Sequence, residues 1–227
     1  MTGRVEHIGD ATLYLGDCLE VMAGLGPVDA VVTDPPYGLG DLWKGGGGQG
    51  KNSWKFDPKE ARSWDQKAPD FINELIGDTP AIVWGGNYFN LPLSRAWLVW
   101  DKGIPNFTTG HSELAWTNLH QPIRNMRLCP NGMTPTGADG PKEHPTQKPI
   151  EIMTWCLGFL PKARTILDPF MGSGTTGVAC AKMGRKFTGI ELDETYFDIA
   201  CRRIEAAYAQ PDMFIEQPAK PKQEALL

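Results

Sequence analysis

The chain has 227 residues, a length that suits one α/β domain with inserted segments. Its hydrophobic content of 41% and charged content of 22% are typical of a globular protein, and no apolar run approaches the ~20 residues that span a bilayer. The N-terminus lacks the basic and then apolar stretches of a signal peptide. The five cysteines lack C-x-x-C spacing, which excludes a zinc or disulfide framework and predicts free thiols in a reducing cytoplasm, with no metal site.

The net charge of −5 at first opposes a nucleic-acid partner, because phosphate contacts require Lys and Arg. The distribution of charge matters more than its total. Residues 39–69 and 102–148 each carry a small excess of basic over acidic side chains on an otherwise acidic chain. These two segments are therefore either solvated loops or surfaces that contact phosphate groups.

Short apolar runs alternate with helix-like stretches along the chain, a pattern typical of an α/β protein with a mostly parallel sheet. Strands are predicted, in chain order, at residues 12–15, 30–33, 81–84, 96–100, 113–117, 165–167 and 187–190. Helices are predicted at residues 18–25, 70–77, 149–160, 175–183 and 194–208. The expected sheet has seven strands and helices on both faces.

Two long segments interrupt this alternation, at about residues 39–69 and 102–143. The first contains a run of four glycines and three tryptophans, and the second is rich in Pro, Gly and Asn. Long irregular segments inside a compact domain are often functional or mobile. Residues 1–210 are therefore expected to form a single domain with these two inserts, and residues 211–227 a flexible tail.

The first motif with chemical content is Asp34-Pro35-Pro36-Tyr37, which follows the predicted strand 30–33. Ligands of open α/β sheets bind at the carboxyl ends of the strands. The prolines lack an N–H group, so their carbonyls can only accept hydrogen bonds, while Asp34 adds a negative acceptor and Tyr37 a flat ring face. The motif therefore suits a planar substrate that carries an amine, and its structural alternative is a stiff turn after a strand.

The second motif spans residues 167–177, where Gly172, Gly174 and Gly177 fit the G-x-G-x-x-G pattern between a strand and a helix. Glu191 ends the next predicted strand, where an acid can accept both ribose hydroxyls. The motif lies too late in the chain for a typical NAD domain, and no residue for hydride transfer accompanies it. An adenosine ligand without phosphates fits the same geometry, and the structural alternative is a tight packing turn.

Two further segments complete a recognisable order, His144-Pro145-Thr146-Gln147-Lys148-Pro149 and Gly16-Asp17-Cys18-Leu19-Glu20. With D-P-P-Y first and the F-x-G-x-G cofactor motif last, the chain resembles the permuted β group of the DNA amino-methyltransferases, the adenine-N6 and cytosine-N4 enzymes. The resemblance implies a Rossmann-like methyltransferase fold with a circularly permuted motif order, which uses S-adenosyl-L-methionine and releases S-adenosyl-L-homocysteine.

The resemblance also implies a role for each matching residue. The target amine is expected to meet Asp34, Pro35, Pro36 and Tyr37. Thr146, Gln147 and Lys148 are expected near the methionine part of the cofactor, Asp17 and Cys18 near its adenine, and Glu191 on its ribose. The remaining residues expected to bind the cofactor are Asp168, Pro169, Phe170, Gly172, Ser173, Gly174, Thr175 and Leu192.

By this resemblance the chain methylates the N6 amine of a flipped adenine in double-stranded DNA, with a cytosine-N4 enzyme as the alternative. A non-catalytic module that binds S-adenosylmethionine or DNA is a further alternative, and an NAD-dependent oxidoreductase is the third. Residues 39–69 are expected near the target base and residues 102–143 at the recognised sequence, which is predicted to be short or relaxed because so little is inserted. The enzyme is expected to be cytoplasmic and bacterial or phage-encoded, with a restriction partner and a homodimer both left open.

Overall fold

The computed structural model describes residues 3–40, 65–104, 110–130, 143–144 and 146–210. Most of the predicted insert at 39–69, much of the insert at 102–143 and the predicted tail at 211–227 lie outside these described residues. The expected contacts of both inserts with DNA and with the target base therefore stay predictions.

The described residues form nine strands and five α-helices. The strands are β1 (Val5–Ile8), β2 (Ala11–Leu15), β3 (Ala30–Thr33), β4 (Ala81–Trp84), β5 (Ala96–Asp101), β6 (Ser112–Thr117), β7 (Arg124–Arg127), β8 (Thr165–Asp168) and β9 (Lys186–Glu191). The helices are α1 (Cys18–Met22), α2 (Ile72–Ile76), α3 (Ile150–Gly158), α4 (Thr175–Lys182) and α5 (Glu194–Ala209). A 3₁₀ turn, Gly86–Tyr88, follows β4.

The strands form one sheet in the order β1-β2-β9-β8-β3-β4-β6-β5-β7. The five strands from β2 to β4 in this order are parallel, whereas β1 is antiparallel to β2, and β6 is antiparallel to both β4 and β5. All seven predicted strands are present, which confirms the mostly parallel α/β fold. The count of seven is corrected to nine, because β1 and β7 add one edge strand each.

Helices cover both faces of the sheet, as predicted. Helices α3, α4 and α5 pack on one face, where the core includes Val32, Ile152, Val178 and Ile204. Helices α1 and α2 pack on the other face, together with Val31 and its neighbours. Successive strand residues point to opposite faces, so the uninterrupted apolar run of β3 serves both cores. None of the helices in the described ranges has the length and apolar character required to cross a bilayer.

The parallel strands bring five chain segments to one edge of the sheet. Strands β2, β3, β4, β8 and β9 all end at this edge. Strand β6 runs in the opposite direction, so its first residues lie at the same edge. Both sequence motifs and the start of β6 are therefore close together in space.

A substitution of Gly177, in the interior of α4, tests the packing of this helix. A Cβ atom added there would lie 2.5 Å from Cδ1 of Ile204 and 2.7 Å from Cε1 of Phe187, both fully buried side chains. We expect Gly177→Ala to lower the free energy of unfolding by about 1–3 kcal/mol, because it overpacks the core. Urea denaturation followed by circular dichroism measures the change.

Gly158 provides the matched control, since it ends α3, is exposed, and has no heavy atom within 4 Å of an added Cβ atom. Gly158→Ala should leave stability unchanged or raise it by about 0.5–1 kcal/mol through helix propensity. Equal stability of the two variants would show that α4 and α5 are not packed as described.

Candidate active site

A cavity of about 610 Å³ opens at the carboxyl edge of the sheet. All the predicted target-amine residues line it: Asp34, Pro35, Pro36 and Tyr37. Every predicted cofactor residue except Gly174 also lines it: Asp17, Cys18, Thr146, Gln147, Lys148, Asp168, Pro169, Phe170, Gly172, Ser173, Thr175, Glu191 and Leu192. The structure thus brings the motifs at both ends of the chain to one cavity.

Gly174 does not line the cavity. It precedes α4 with a φ of 77°, and a Cβ atom there would lie 2.8 Å from Cβ of Ala200 in α5. A glycine is therefore required for the backbone conformation and for the close packing of two helices. The packing alternative considered for the motif accounts for this glycine.

The Asp34 carboxylate is held by two side chains. The Tyr37 hydroxyl donates to Oδ1 at 2.6 Å, and the Lys148 ammonium donates to Oδ2 at 2.6 Å and to the Tyr37 oxygen at 3.1 Å. Burial raises the pKa of Asp34, and the positive charge of Lys148 opposes this shift. The amine of Lys148 lies against the target-amine motif, and its expected position near the methionine part of the cofactor stays a prediction.

Lys148 belongs to a buried group of alternating charges that the sequence did not reveal. Its ammonium lies 3.1 Å from Oε2 of Glu113, and the ammonium of Lys102 lies 2.8 Å from Oε1 of Glu113. Burial alone would raise the pKa of Glu113, but Lys148 and Lys102 outweigh burial and lower it to about 2. Glu113 is therefore ionised, and two anions alternate with two cations along this wall.

The ring of Tyr37 is already in contact with other aromatic rings. It stacks on Tyr88, with centroids 5.0 Å apart and planes inclined by 16°, and meets the edge of Phe89. A Cβ atom on Gly85 would lie 2.1 Å from the Tyr37 ring, so only glycine permits this position. The sequence signal for this arrangement was the pair of glycines after β4, followed closely by two aromatic residues.

Asp65 fixes the loop that follows the D-P-P-Y motif. Its carboxylate accepts hydrogen bonds from the backbone N–H groups of Gly38 at 2.7 Å and Leu39 at 3.3 Å. Its backbone carbonyl accepts another from Gly40 at 2.8 Å. Asp65 is buried, and no local pattern in the sequence marks it, because the contact depends on how the chain returns to the motif.

Glu191 lies at the other end of the cavity, at the end of β9. Its Oε2 accepts a hydrogen bond from the N–H of Gly172 at 2.8 Å, and its Oε1 one from the N–H of Asp193 at 2.8 Å. Burial raises the pKa of Glu191 to about 7, and these backbone donors only partly offset that effect. Since carboxylate oxygens have about four lone-pair sites, Glu191 retains capacity to accept from a hydroxyl of a ligand.

Asp17 and Cys18 lie close to this end, at the start of α1. The Asp17 carboxylate caps the helix by accepting from the N–H groups of Leu19 at 2.8 Å and Glu20 at 3.3 Å. Burial raises the pKa of the Cys18 thiol to about 11, so it is neutral at physiological pH. Asp17 thus orders the turn that forms this part of the wall.

Gln147 presents a buried donor to the cavity. Its side chain is 5% exposed, and its Oε1 accepts from the N–H of Glu143 at 3.0 Å and contacts the Ser173 hydroxyl at 3.5 Å. Its Nε2 has no hydrogen-bond partner among the described residues. Because a buried donor without a partner is costly, a ligand acceptor such as a carboxylate fits beside it.

The glycine-rich turn is supported from α5. One nitrogen of Arg203 donates to the backbone carbonyl of Ser173 at 2.5 Å and to its hydroxyl at 2.9 Å. The same nitrogen donates to the hydroxyl of Thr175 at 3.1 Å. These contacts tie α5 to the glycine-rich turn through a single guanidinium nitrogen.

Asp168 connects the two ends of the cavity. Its Oδ1 accepts from the Thr33 hydroxyl at 2.7 Å and the N–H of Phe170 at 3.1 Å, and its Oδ2 accepts from the Thr176 hydroxyl at 2.7 Å. Burial raises its pKa to about 6. Asp168 does line the cavity, but its hydrogen bonds are directed to the protein, which indicates a structural contribution as well.

Comparison with known proteins indicates one protein family for this chain. The family model for N6/N4 DNA methylases matches residues 51–202. Type II methyltransferase M.ScaI of Streptomyces caespitosus is 27% identical in an alignment of 250 positions, gaps included, that covers 87% of this chain and 82% of that protein. Type II methyltransferase M.HinfI of Haemophilus influenzae is 25% identical in an alignment of 259 positions, gaps included, that covers 91% of this chain and 72% of that protein.

Solved structures show the same fold. The cytosine-N4-specific PvuII DNA methyltransferase aligns with a TM-score of 0.58 at 16% identity, over 92% of this chain and 95% of that chain. The complex of M1.HpyAVI with SAM aligns with a TM-score of 0.51 at 23% identity, over 86% of this chain and 98% of that chain. The sheet is thus that of a Rossmann-like methyltransferase. With the family model matched over most of the chain, the protein belongs to the adenine-N6 and cytosine-N4 DNA amino-methyltransferase family.

Proposed function

We propose that this DNA methyltransferase modifies the N6 amine of adenine. The observation that carries the proposal is the position of Asp34 in the same cavity as Glu191 and the glycine-rich turn. Asp at the first position of the D-P-P-Y motif favours adenine, because Ser is frequent there in the cytosine-N4 enzymes that the chain resembles. Cytosine-N4 is the alternative, since its amine presents the same two hydrogens.

The cavity residues fit S-adenosylmethionine, the cofactor of this family, which supplies an electrophilic methyl group when bound. We assign Glu191 to the ribose hydroxyls, because it is a half-buried carboxylate at the end of β9 that lines the cavity. The unpartnered Nε2 of Gln147 suits the carboxylate of the methionine part. Asp17 and Cys18 are assigned to the adenine ring, as the resemblance implied.

The chemical task of the D-P-P-Y motif is to increase the nucleophilicity of the target amine, whose lone pair is delocalised into the ring. Asp34 and the Pro35 carbonyl accept the two amine hydrogens, which localises the lone pair as the new bond forms. Removal of one such acceptor can lower a rate by ~10²–10³. Once the methyl group has been transferred, Asp34 takes the surplus proton, and its raised pKa favours this step before release to solvent.

The stacking of Tyr37 on Tyr88 affects how the target base enters the cavity. We propose that the target base leaves the DNA stack, because an amine inside a duplex cannot reach a cavity at the edge of the sheet. Tyr88 now stacks on one face of the Tyr37 ring, and in this proposal it moves away so that the base can take its place. The predicted inserts at 39–69 and 102–143 supply the remaining contacts with double-stranded DNA in this proposal.

Identification of the product tests the proposal directly. The protein is incubated with unmethylated genomic DNA and labelled S-adenosylmethionine, and the DNA is digested to nucleosides that are separated by mass. We expect label in N6-methyladenosine. Label in N4-methylcytidine would select the alternative, and no labelled base with any DNA would refute both.

The Asp34→Ala variant tests whether the target-amine end and the cofactor end of the cavity have separate roles. We expect methyl transfer to be lost while cofactor affinity stays within about threefold, because Asp34 contacts Tyr37 and Lys148 and not Glu191. Lys148 keeps its ion pair with Glu113 in this variant. Loss of cofactor binding together with turnover would contradict the assigned division of roles.

The pKa of Glu191 predicts how cofactor binding depends on pH. Hydroxyl groups donate better to the ionised carboxylate, and with a pKa of about 7 the ionised form dominates at pH 8 but is a minor form at pH 6. Affinity for S-adenosylhomocysteine should therefore fall roughly tenfold from pH 8 to pH 6, as measured by titration calorimetry. Glu191→Gln should bind weakly at both pH values, and an equal pH dependence in this variant would assign the effect to another group.

A further inference from the structure

Glu113 extends from the start of β6 into the cavity wall, although it belongs to none of the motifs. It lies at the carboxyl edge of the sheet because β6 runs against its neighbours, opposite Trp100 of β5. Its two carboxylate oxygens contact different cations, Lys148 at 3.1 Å and Lys102 at 2.8 Å. Glu113 therefore joins two buried cations that come from distant parts of the chain.

The ammonium of Lys148 has three hydrogens and three acceptors. The acceptors are Asp34 Oδ2 at 2.6 Å, the Tyr37 oxygen at 3.1 Å and Glu113 Oε2 at 3.1 Å. The side chain is only 3% exposed and lies 5.1 Å above the ring of Trp84. Because an ammonium group has three donors and no acceptor, these contacts fix its position completely.

Lys148 has two opposing effects on Asp34. It orients the carboxylate, but a cation paired with Asp34 alone would also lower its basicity and compete with the target amine for its lone pairs. Glu113 shares the positive charge of Lys148, and Lys102 in turn keeps Glu113 ionised. The arrangement therefore holds Asp34 in place without neutralising it.

We propose that Glu113 is a positioning residue for methyl transfer, which divides the charge of Lys148 so that Asp34 stays oriented and available to the target amine. This inference rests on the proposed function of Asp34 as acceptor of the amine hydrogens. Glu113 acts through Lys148 and touches neither the cofactor nor the base.

The substitution that tests the proposal is Glu113→Gln, which keeps the shape and removes the charge. Lys148 then pairs with Asp34 alone, so Asp34 becomes a weaker acceptor with a lower pKa. We expect the single-turnover rate of methyl transfer to fall about tenfold or more, and the acidic limb of its pH profile to move to lower pH. Affinity for S-adenosylhomocysteine should change by less than about threefold, and Glu113→Asp should restore part of the rate.

Other charged or titratable groups around Asp34 are common to the wild type and the variant. They are Tyr37 on its own loop, Lys148 before α3, Lys102 after β5, Asp168 at the end of β8 and Cys156 of α3. Burial raises the pKa of Asp168 to about 6, and this titration is present in both proteins. The difference between the two profiles therefore isolates the contribution of Glu113.

Asp101→Asn is the matched control, because Asp101 at the end of β5 likewise makes an ion pair, but with Arg127 of β7 at 2.8 Å, and neither residue lines the cavity. Its rate and pH profile should equal those of the wild type. Should Glu113→Gln fail to fold, the double variant Glu113→Gln/Lys102→Gln removes the adjacent cation as well and keeps the buried charge balanced. We expect the same shift in its profile.

An unchanged rate and pH profile in a folded Glu113→Gln variant would overturn the inference, as would a parallel loss of cofactor binding. An acidic limb moved to higher pH would also overturn it, because this would mean that Lys148 had left Asp34. A wild-type protein that methylates no DNA refutes the proposed function itself. An active wild type with an equally active variant refutes only the role of Glu113.

Discussion

The spacing between the target-amine end and the cofactor end of the active site depends on the Asp168 carboxylate. This side chain is 2% exposed and accepts hydroxyl hydrogen bonds of 2.7 Å from Thr33, directly before Asp34, and from Thr176 in the first turn of α4. Because these bonds connect β3 to the glycine-rich turn through the core, the loops do not determine the spacing between the two ends. Methyl transfer requires this accuracy, since a displacement of about 1 Å can cost about 10²-fold in rate.

A second connection runs through the segment before α3. Gln147 contacts Ser173 of the glycine-rich turn, while the next residue, Lys148, bonds Asp34 and Glu113. Adjacent residues thus reach the cofactor end and the target-amine end. Buried ion pairs cost solvation energy and rarely increase stability, so the alternating charges along this wall are better explained by orientation of Asp34.

Local patterns predicted the seven inner strands, the five helices and the residues of both motifs, because apolar runs and glycine spacing are properties of neighbouring residues. Edge strand β7, Arg-Asn-Met-Arg, has no apolar run and was missed. The contacts of Lys148 with Asp34 and Glu113, and of Tyr88 with Tyr37, were also missed. These contacts join side chains far apart in sequence or on different loops, so they follow from the topology of the sheet and not from any motif.

The central claim is that one cavity holds the methyl donor with its reactive end towards Asp34. Diffraction from crystals grown with an S-adenosylmethionine analogue that carries an amine in place of the methyl-bearing sulfonium tests this most directly. The account predicts its ribose hydroxyls on Glu191 and its amine directed towards the Asp34 carboxylate. An analogue bound outside this cavity, or with its amine directed away from Asp34, would contradict the account.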